Sequence, residues 1–246
     1  MKLSRTILPA LAMLIVAAVM LTTASFAWFA MSTEVAATNM SVGIKSDSSY
    51  LLISEDGALD TIRTNGKTSL EYASVAKTNL LPVALDSTKI ATGVSPIEEL
   101  STYDGVWYYQ TAENPGSSAA AADAAKTSVT SADVTDYLYK KTFYLAVAAG
   151  SNAMTDLKAR VSILNDAASG DEAIRVVVAS ENAYQVFNTT TENYVGATVL
   201  GDIAADGVVQ IDVYIFYDGT DETVFTNNIT SIIDSQISVY FTASVS

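Results

Sequence analysis

The chain has no cysteine and no histidine among its 246 residues, only four prolines, and 13 basic residues against 27 acidic ones. Each shortage excludes something. Without cysteine there is no disulfide, no thiol nucleophile and no thiolate metal centre. A chain of this length can bury enough surface to fold without such staples. Without histidine the commonest general base and the commonest metal ligand are both gone, and with them every Ser-His and Cys-His arrangement. A Ser-Lys pair would need a desolvated lysine, and no motif joins a serine to a lysine here. No catalytic set is therefore expected. The formal net charge of −14 argues against nucleic acid, whose binding depends on Lys and Arg neutralising phosphates. It also argues against a polybasic contact with anionic lipid.

What is present starts at the N-terminus. Lys2 and Arg5 precede an uncharged, mostly apolar run from Ile7 to Ala30, which ends in Ala24-Ser25-Phe26-Ala27-Trp28-Phe29-Ala30. A basic start, an apolar centre and small residues at a cut site make a secretory signal. Ser25 stands at the −3 position and Ala27 at the cut, so residues 1–27 read as a signal helix met by a signal peptidase on export. About 20 apolar residues also suffice to span a bilayer. An uncleaved run would therefore be a membrane anchor, with Lys2 and Arg5 held inside. Either way the remainder, residues 28–246, is extracellular or at the cell surface. Only the N-terminal segment would touch a membrane.

The body alternates with the period of half-buried strands. Phe143, Leu145 and Val147 form one such series. Val176 with Val178, Ile211 with Val213 and Ile215, and Ile237 with Val239 and Phe241 form others. Tyr50 to Ile53, Leu80 to Leu85 and Val106 to Tyr109 are further strand candidates. Asp56-Gly57, Asn65-Gly66, Asp104-Gly105, Asp206-Gly207 and Asp218-Gly219 punctuate them as turns. Helix signals are few. Thr68-Ser69-Leu70-Glu71 and Ser95-Pro96-Ile97-Glu98 have capping-box spacing and predict short helices in loops. Residues 113–132, rich in Ala, Ser, Asp and Thr, read as a flexible insertion with one helical turn at Ala119 to Ala125. The expected fold is all-β, a jelly-roll-like sandwich of one domain over residues 28–246, with an N-terminal arm at 28–45.

Thr23-Ala24-Ser25-Phe26-Ala27-Trp28-Phe29, followed by Ala37-Thr38-Asn39-Met40-Ser41-Val42-Gly43, resembles the TasA/camelysin family of secreted, fibre-forming matrix proteins of Gram-positive bacteria. In that family a dedicated peptidase cuts before an aromatic pair, and a Thr-Asn-hydrophobic-x-hydrophobic-Gly strand opens the mature protein. Tryptophan at position 28 replaces the usual tyrosine. The close match covers about 25 residues, and over the body only the strand pattern is shared. The resemblance implies a jelly-roll subunit of a biofilm fibre. Its N-terminal strand would complete a neighbour's sheet, with Trp28, Phe29, Met40, Val42 and Ile44 as the assembly residues. Its partners would be copies of itself, joined head to tail. Some family members carry a metalloprotease label. The H-E-x-x-H chemistry behind such activity needs histidines, so it does not carry over. The alternative from a different class is a membrane-tethered or secreted surface-binding module, of carbohydrate or adhesin type. Met40 to Ile44 can equally be the first strand of the chain's own sheet.

Three features invite ligands. Asp218-Gly219-Thr220-Asp221-Glu222 offers oxygens of the kind calcium takes, but lacks D-x-D-x-D-G spacing and reads as a solvated hairpin turn. Asn165-Asp166 and Asp171-Glu172 read the same way, and no cofactor is expected. Trp107-Tyr108-Tyr109 has the composition of a sugar-stacking platform, or of a strand with one buried face. The C-terminus carries no L-P-x-T-G sorting signal.

Overall fold

The computed structural model describes residues 41–45, 51–71, 80–110, 126–164, 173–188, 197–220 and 236–246. The chain divides into two units, Met1–Ala36 and Ala37–Ser246, and every described residue belongs to the second. The predicted signal segment, with Ser25 and Ala27, lies outside the described residues. So do Trp28, Phe29 and Met40.

Among the described residues, thirteen strands carry the fold. They are β1 (Ser41–Lys45), β2 (Leu51–Ser54), β3 (Ser69–Glu71), β4 (Ala84–Leu85), β5 (Trp107–Gln110), β6 (Lys126–Ser128) and β7 (Tyr139–Val147). They continue with β8 (Met154–Leu164), β9 (Ile174–Ala179), β10 (Tyr184–Phe187), β11 (Val199–Ile203), β12 (Val208–Tyr217) and β13 (Gln236–Val245). Three short α-helices interrupt them among the described residues, α1 (Leu59–Asn65), α2 (Pro96–Thr102) and α3 (Val134–Tyr137), with a single 3-10 turn at Ser87–Lys89. The strands form a sheet of order β11-β8-β13-β1-β3, a second of order β10-β9-β12-β7-β2, and a small one of order β4-β5-β6. All named pairs run antiparallel except β1 with β13, which run parallel.

The two five-stranded sheets share one core. Phe143, Leu145 and Val147 of β7, Ile211, Val213 and Ile215 of β12, and Val176 and Val178 of β9 meet Leu157, Val161, Val239 and Phe241 from the other sheet. These are the residues that the period-2 pattern marks, so the all-β expectation holds. The intervening positions differ from expectation. Tyr214 and Phe216 of β12 and Val177 and Ala179 of β9 are buried too, in a second core with Val83, Ile97, Leu100, Val106, Trp107, Val129 and Leu138. The small sheet, α2 and α3 thus cap the outer face of the second sheet. This explains why Val213 to Tyr217 and Val176 to Ala179 run without a polar break: strands buried on both faces lose the alternation.

Other local expectations change. Thr68 to Glu71 is not helical: Ser69–Glu71 pairs with β1 as β3, and Leu70 packs on the main core. Propensity and cap spacing are weak priors against a sheet neighbour. Ser95-Pro96 does open a helix, with Pro at its first turn, although the Ser95 hydroxyl makes no cap bond. From Leu80 to Leu85 only Ala84–Leu85 is a strand, and Pro82 cannot donate to a ladder. Within 113–132, Lys126–Ser128 is ordered as β6 on β5, while Ala119 to Ala125 lies outside the described residues. Asn65-Gly66, expected as a turn between strands, ends α1, with Gly66 N–H donating to Ile62 O at 2.7 Å. Helix α1 itself had no capping-box signal. Asp56 initiates it from two residues upstream by accepting from Ala58 N–H at 2.9 Å.

Candidate functional site

Of the residues expected to drive assembly, Val42 and Ile44 are described. They sit in β1, with Val42 in register with Val239 and Ile44 with Phe241. On its other side β1 pairs with β3, Val42 opposite Leu70 and Ser41 opposite Glu71. The strand is therefore an interior one, held on both sides by its own chain. Chain that precedes Ser41 starts from a hydrogen-bonded root.

The two sides of the sandwich differ in how their sheet edges end. On one side Ile53 N–H donates to Lys67 O at 2.9 Å and Lys67 N–H returns a bond to Ile53 O at 3.1 Å. Lys67 leads within two residues into β3, which pairs with β1. One short run of chain thus bonds to both large sheets and shuts that side. On the other side the sheets end in β10 and β11. Strand β11 is irregular, with register shifts at Gly201. Gly201 has φ of 136°, a backbone that side chains rarely adopt. Irregular twist of this kind, with Asp202 beside it, blunts an edge against further pairing.

Strand β10 has no such protection. Its sequence, Tyr184-Gln185-Val186-Phe187, contains no charge, proline or glycine, and its register on β9 is unbroken. The bond from Ser180 N–H to Ala183 O sets the phase of the antiparallel ladder. Gln185 and Phe187 then bond β9, while Tyr184 and Val186 turn their N–H and C=O outward. Among the described residues no partner meets those groups. Val186 is 42% exposed. The Ser180 hydroxyl anchors the β9–β10 turn, accepting from Asn182 and Ala183 N–H and donating to Leu200 O.

A polar cluster lies between the second sheet and the cap. Lys140 Nζ stands 2.8 Å from Asp212 Oδ2 and donates to Ser101 Oγ at 2.9 Å. Asp212 also accepts from Thr142 Oγ1 at 2.7 Å and Gln210 Nε2 at 3.2 Å. Ser101 and the Tyr214 hydroxyl are 3.0 Å apart. Sequence reasoning did not join Ser101 to Lys140, because α2 and β7 bring them together across 39 positions. Burial disfavours the charge on Lys140, but Asp212 and Tyr214 outweigh it and its pKa is raised. An ammonium cannot take the serine proton. The same charge leaves no free amine to attack a carboxyl carbon. The cluster's chemistry is structural: it ties α2 to β7 and β12.

The aromatic run is occupied as well. Trp107 is fully buried, donates its indole N–H to Leu100 O at 3.1 Å, and meets Phe216 edge-on at 5.0 Å. Tyr109 stacks on Tyr137 at 4.7 Å, and Lys126 covers Tyr108 at 4.6 Å. Burial, aided by Tyr109, pushes the Tyr137 phenol up to about 12. Asp218 is committed too. It accepts from Thr220 N–H and pairs with Arg175 at 3.3 Å. The expected turn is present at Gly219 and Thr220, and it also bridges to Val83 of the cap, with Gly219 N–H donating to Val83 O at 3.0 Å. Asp221, Glu222, Asn165, Asp166, Asp171 and Glu172 lie outside the described residues. Among the described residues no three acidic side chains converge as metal ligands, and no helix is long and apolar enough to cross a membrane.

No protein-family model matches the chain, and no curated protein matches it.

Proposed function

We propose that this chain is a secreted structural subunit of an extracellular fibre or matrix. It is of jelly-roll topology, is exported with cleavage after Ala27, and assembles by strand addition through its N-terminal arm. The observation that carries the reading is the position of β1. The arm's root is fixed between β13 and β3, so a strand offered to a neighbour would start from a held end. A strand added to a neighbour gains its bonds from an existing ladder. A head-to-tail contact of that kind does not close, and it propagates into a filament. The commitment of the Lys140–Asp212 cluster and of the Trp107 aromatics to structural contacts supports a non-enzymatic role.

Negative-stain microscopy tests this on the chain exported by a secreting host, beside a version lacking Trp28 to Asn39. Filaments from the first and monomers from the second are expected. Monomers from both at high concentration would favour the tethered or secreted surface-binding module instead.

A further inference from the structure

We infer that the free edge of β10 accepts the N-terminal arm of a second copy of this chain as an added strand. The inference rests on the fibre reading and names the surface it needs. The two large sheets have four edges. Strand β2 is closed by the paired bonds between Ile53 and Lys67. Strand β3 is three residues long and belongs to the same shut side. Strand β11 is bulged at Gly201. Among the described residues, strand β10 alone combines unbroken register, uncharged sequence and outward backbone groups. Proteins guard such edges with charge, proline, bulges or covering chain, and three of the four edges here are guarded.

The side chains at that edge fit an extended, weakly charged strand. Tyr184 leans on the second core and Val186 is exposed beside it, so an added strand would lay alternate apolar residues against that pair. The arm from Trp28 to Asn39 carries one charge, Glu34, and offers Phe29, Met31 and Val35 at every second or fourth position. Its twelve residues reach about 40 Å when extended. The arm bonds Tyr184 and Val186 through N–H and C=O groups that the β9 ladder leaves free.

The absence of cysteine makes a direct test possible, because any thiol introduced is unique. One population carries Val186→Cys and a second carries Val35→Cys. They are mixed as exported chains and oxidised, then run without reductant. A reducible heterodimer is expected, about tenfold or more above that from Val199→Cys with Val35→Cys, because a bound arm raises the local thiol concentration far above bulk. Equal coupling to position 199, or none to 186, overturns the inference. So does a disulfide that forms only within a single chain carrying both Val186→Cys and Val35→Cys. If deleting Trp28 to Asn39 abolishes filaments while positions 35 and 186 never couple, the acceptor is another surface and the fibre reading stands. If the arm-deleted chain polymerises like the full one, the fibre reading itself fails.

Discussion

Lys140 Nζ lies 2.8 Å from Asp212 Oδ2, and the Asp212 side chain is wholly buried while that of Lys140 keeps 29% of its surface. A buried carboxylate with one cationic partner is costly to disturb, because removing either group strands the other away from water. Asp212→Ala is expected to lose about 3 kcal/mol of stability, the low end of the range for broken buried pairs because Lys140 can still reach solvent. Replacing both, as Lys140→Met with Asp212→Leu, should restore most of the loss, since an apolar pair of similar volume needs no desolvation. Urea unfolding of the three variants reads this out. A double variant as unstable as Asp212→Ala would mean that Thr142 and Gln210, not the ion pair, dominate the site.

Alkaline pH should unfold the protein through buried tyrosines and Lys140. Burial pushes the Tyr214 phenol up to about 12, against the pull of Ser101 and Lys140. Tyr137 is raised to about 12 by burial and by Tyr109, and Lys140 is raised as well. Each group keeps its proton longer in the folded chain than in the unfolded one. Their contributions are therefore complete below about pH 10 and are lost as pH rises from about 10 to 12. The urea midpoint should be level from pH 8 to 10 and then fall. Tyr214→Phe should lower the plateau, through the lost contact with Ser101, and make the fall shallower. An unchanged slope in that variant would remove Tyr214 from the account.

The core-facing positions of the main strands were legible in the sequence, because one face of each strand must be apolar to meet the opposite sheet. The positions between them were not. Gln210, Asp212 and Tyr214 look like a solvent face, yet Asp212 and Tyr214 lie under the cap. The signal that was available is the unbroken apolar run from Val213 to Tyr217. The cap is built from short strands separated by at least 80 positions from β12, and no local pattern announces it. Ser101 and Lys140 meet for the same non-local reason. Edge character depends on sheet order, so Val186 was indistinguishable from any other strand valine before the topology was known.

Trp107 joins the cap to the second sheet through Tyr214 and Phe216. Trp107→Ala removes that contact and the indole bond to Leu100 O, at a cost of about 3–5 kcal/mol typical of a buried large-to-small change. The cap should then open before the sandwich does. Limited proteolysis is expected to cut first between residues 80 and 138, with a fragment from Tyr139 onward persisting. Simultaneous loss of both would show that cap and sandwich fold as one unit.

Lys67 distinguishes backbone from side-chain contributions to the shut side of the sandwich. Its side chain is exposed, while its N–H and C=O both bond Ile53, which is fully buried. Lys67→Ala keeps both bonds and should change stability by no more than about 0.5 kcal/mol. Lys67→Pro deletes the N–H and leaves the Ile53 carbonyl without its donor, at a cost of about 1–3 kcal/mol. It also opens the edge of β2, a strand with apolar Leu51, Leu52 and Ile53. Size-exclusion chromatography of Lys67→Pro should therefore show concentration-dependent association beyond that of Lys67→Ala. A Lys67→Pro variant that loses stability but does not associate would mean that bonding across Ile53 and Lys67 supports the fold without guarding its edge.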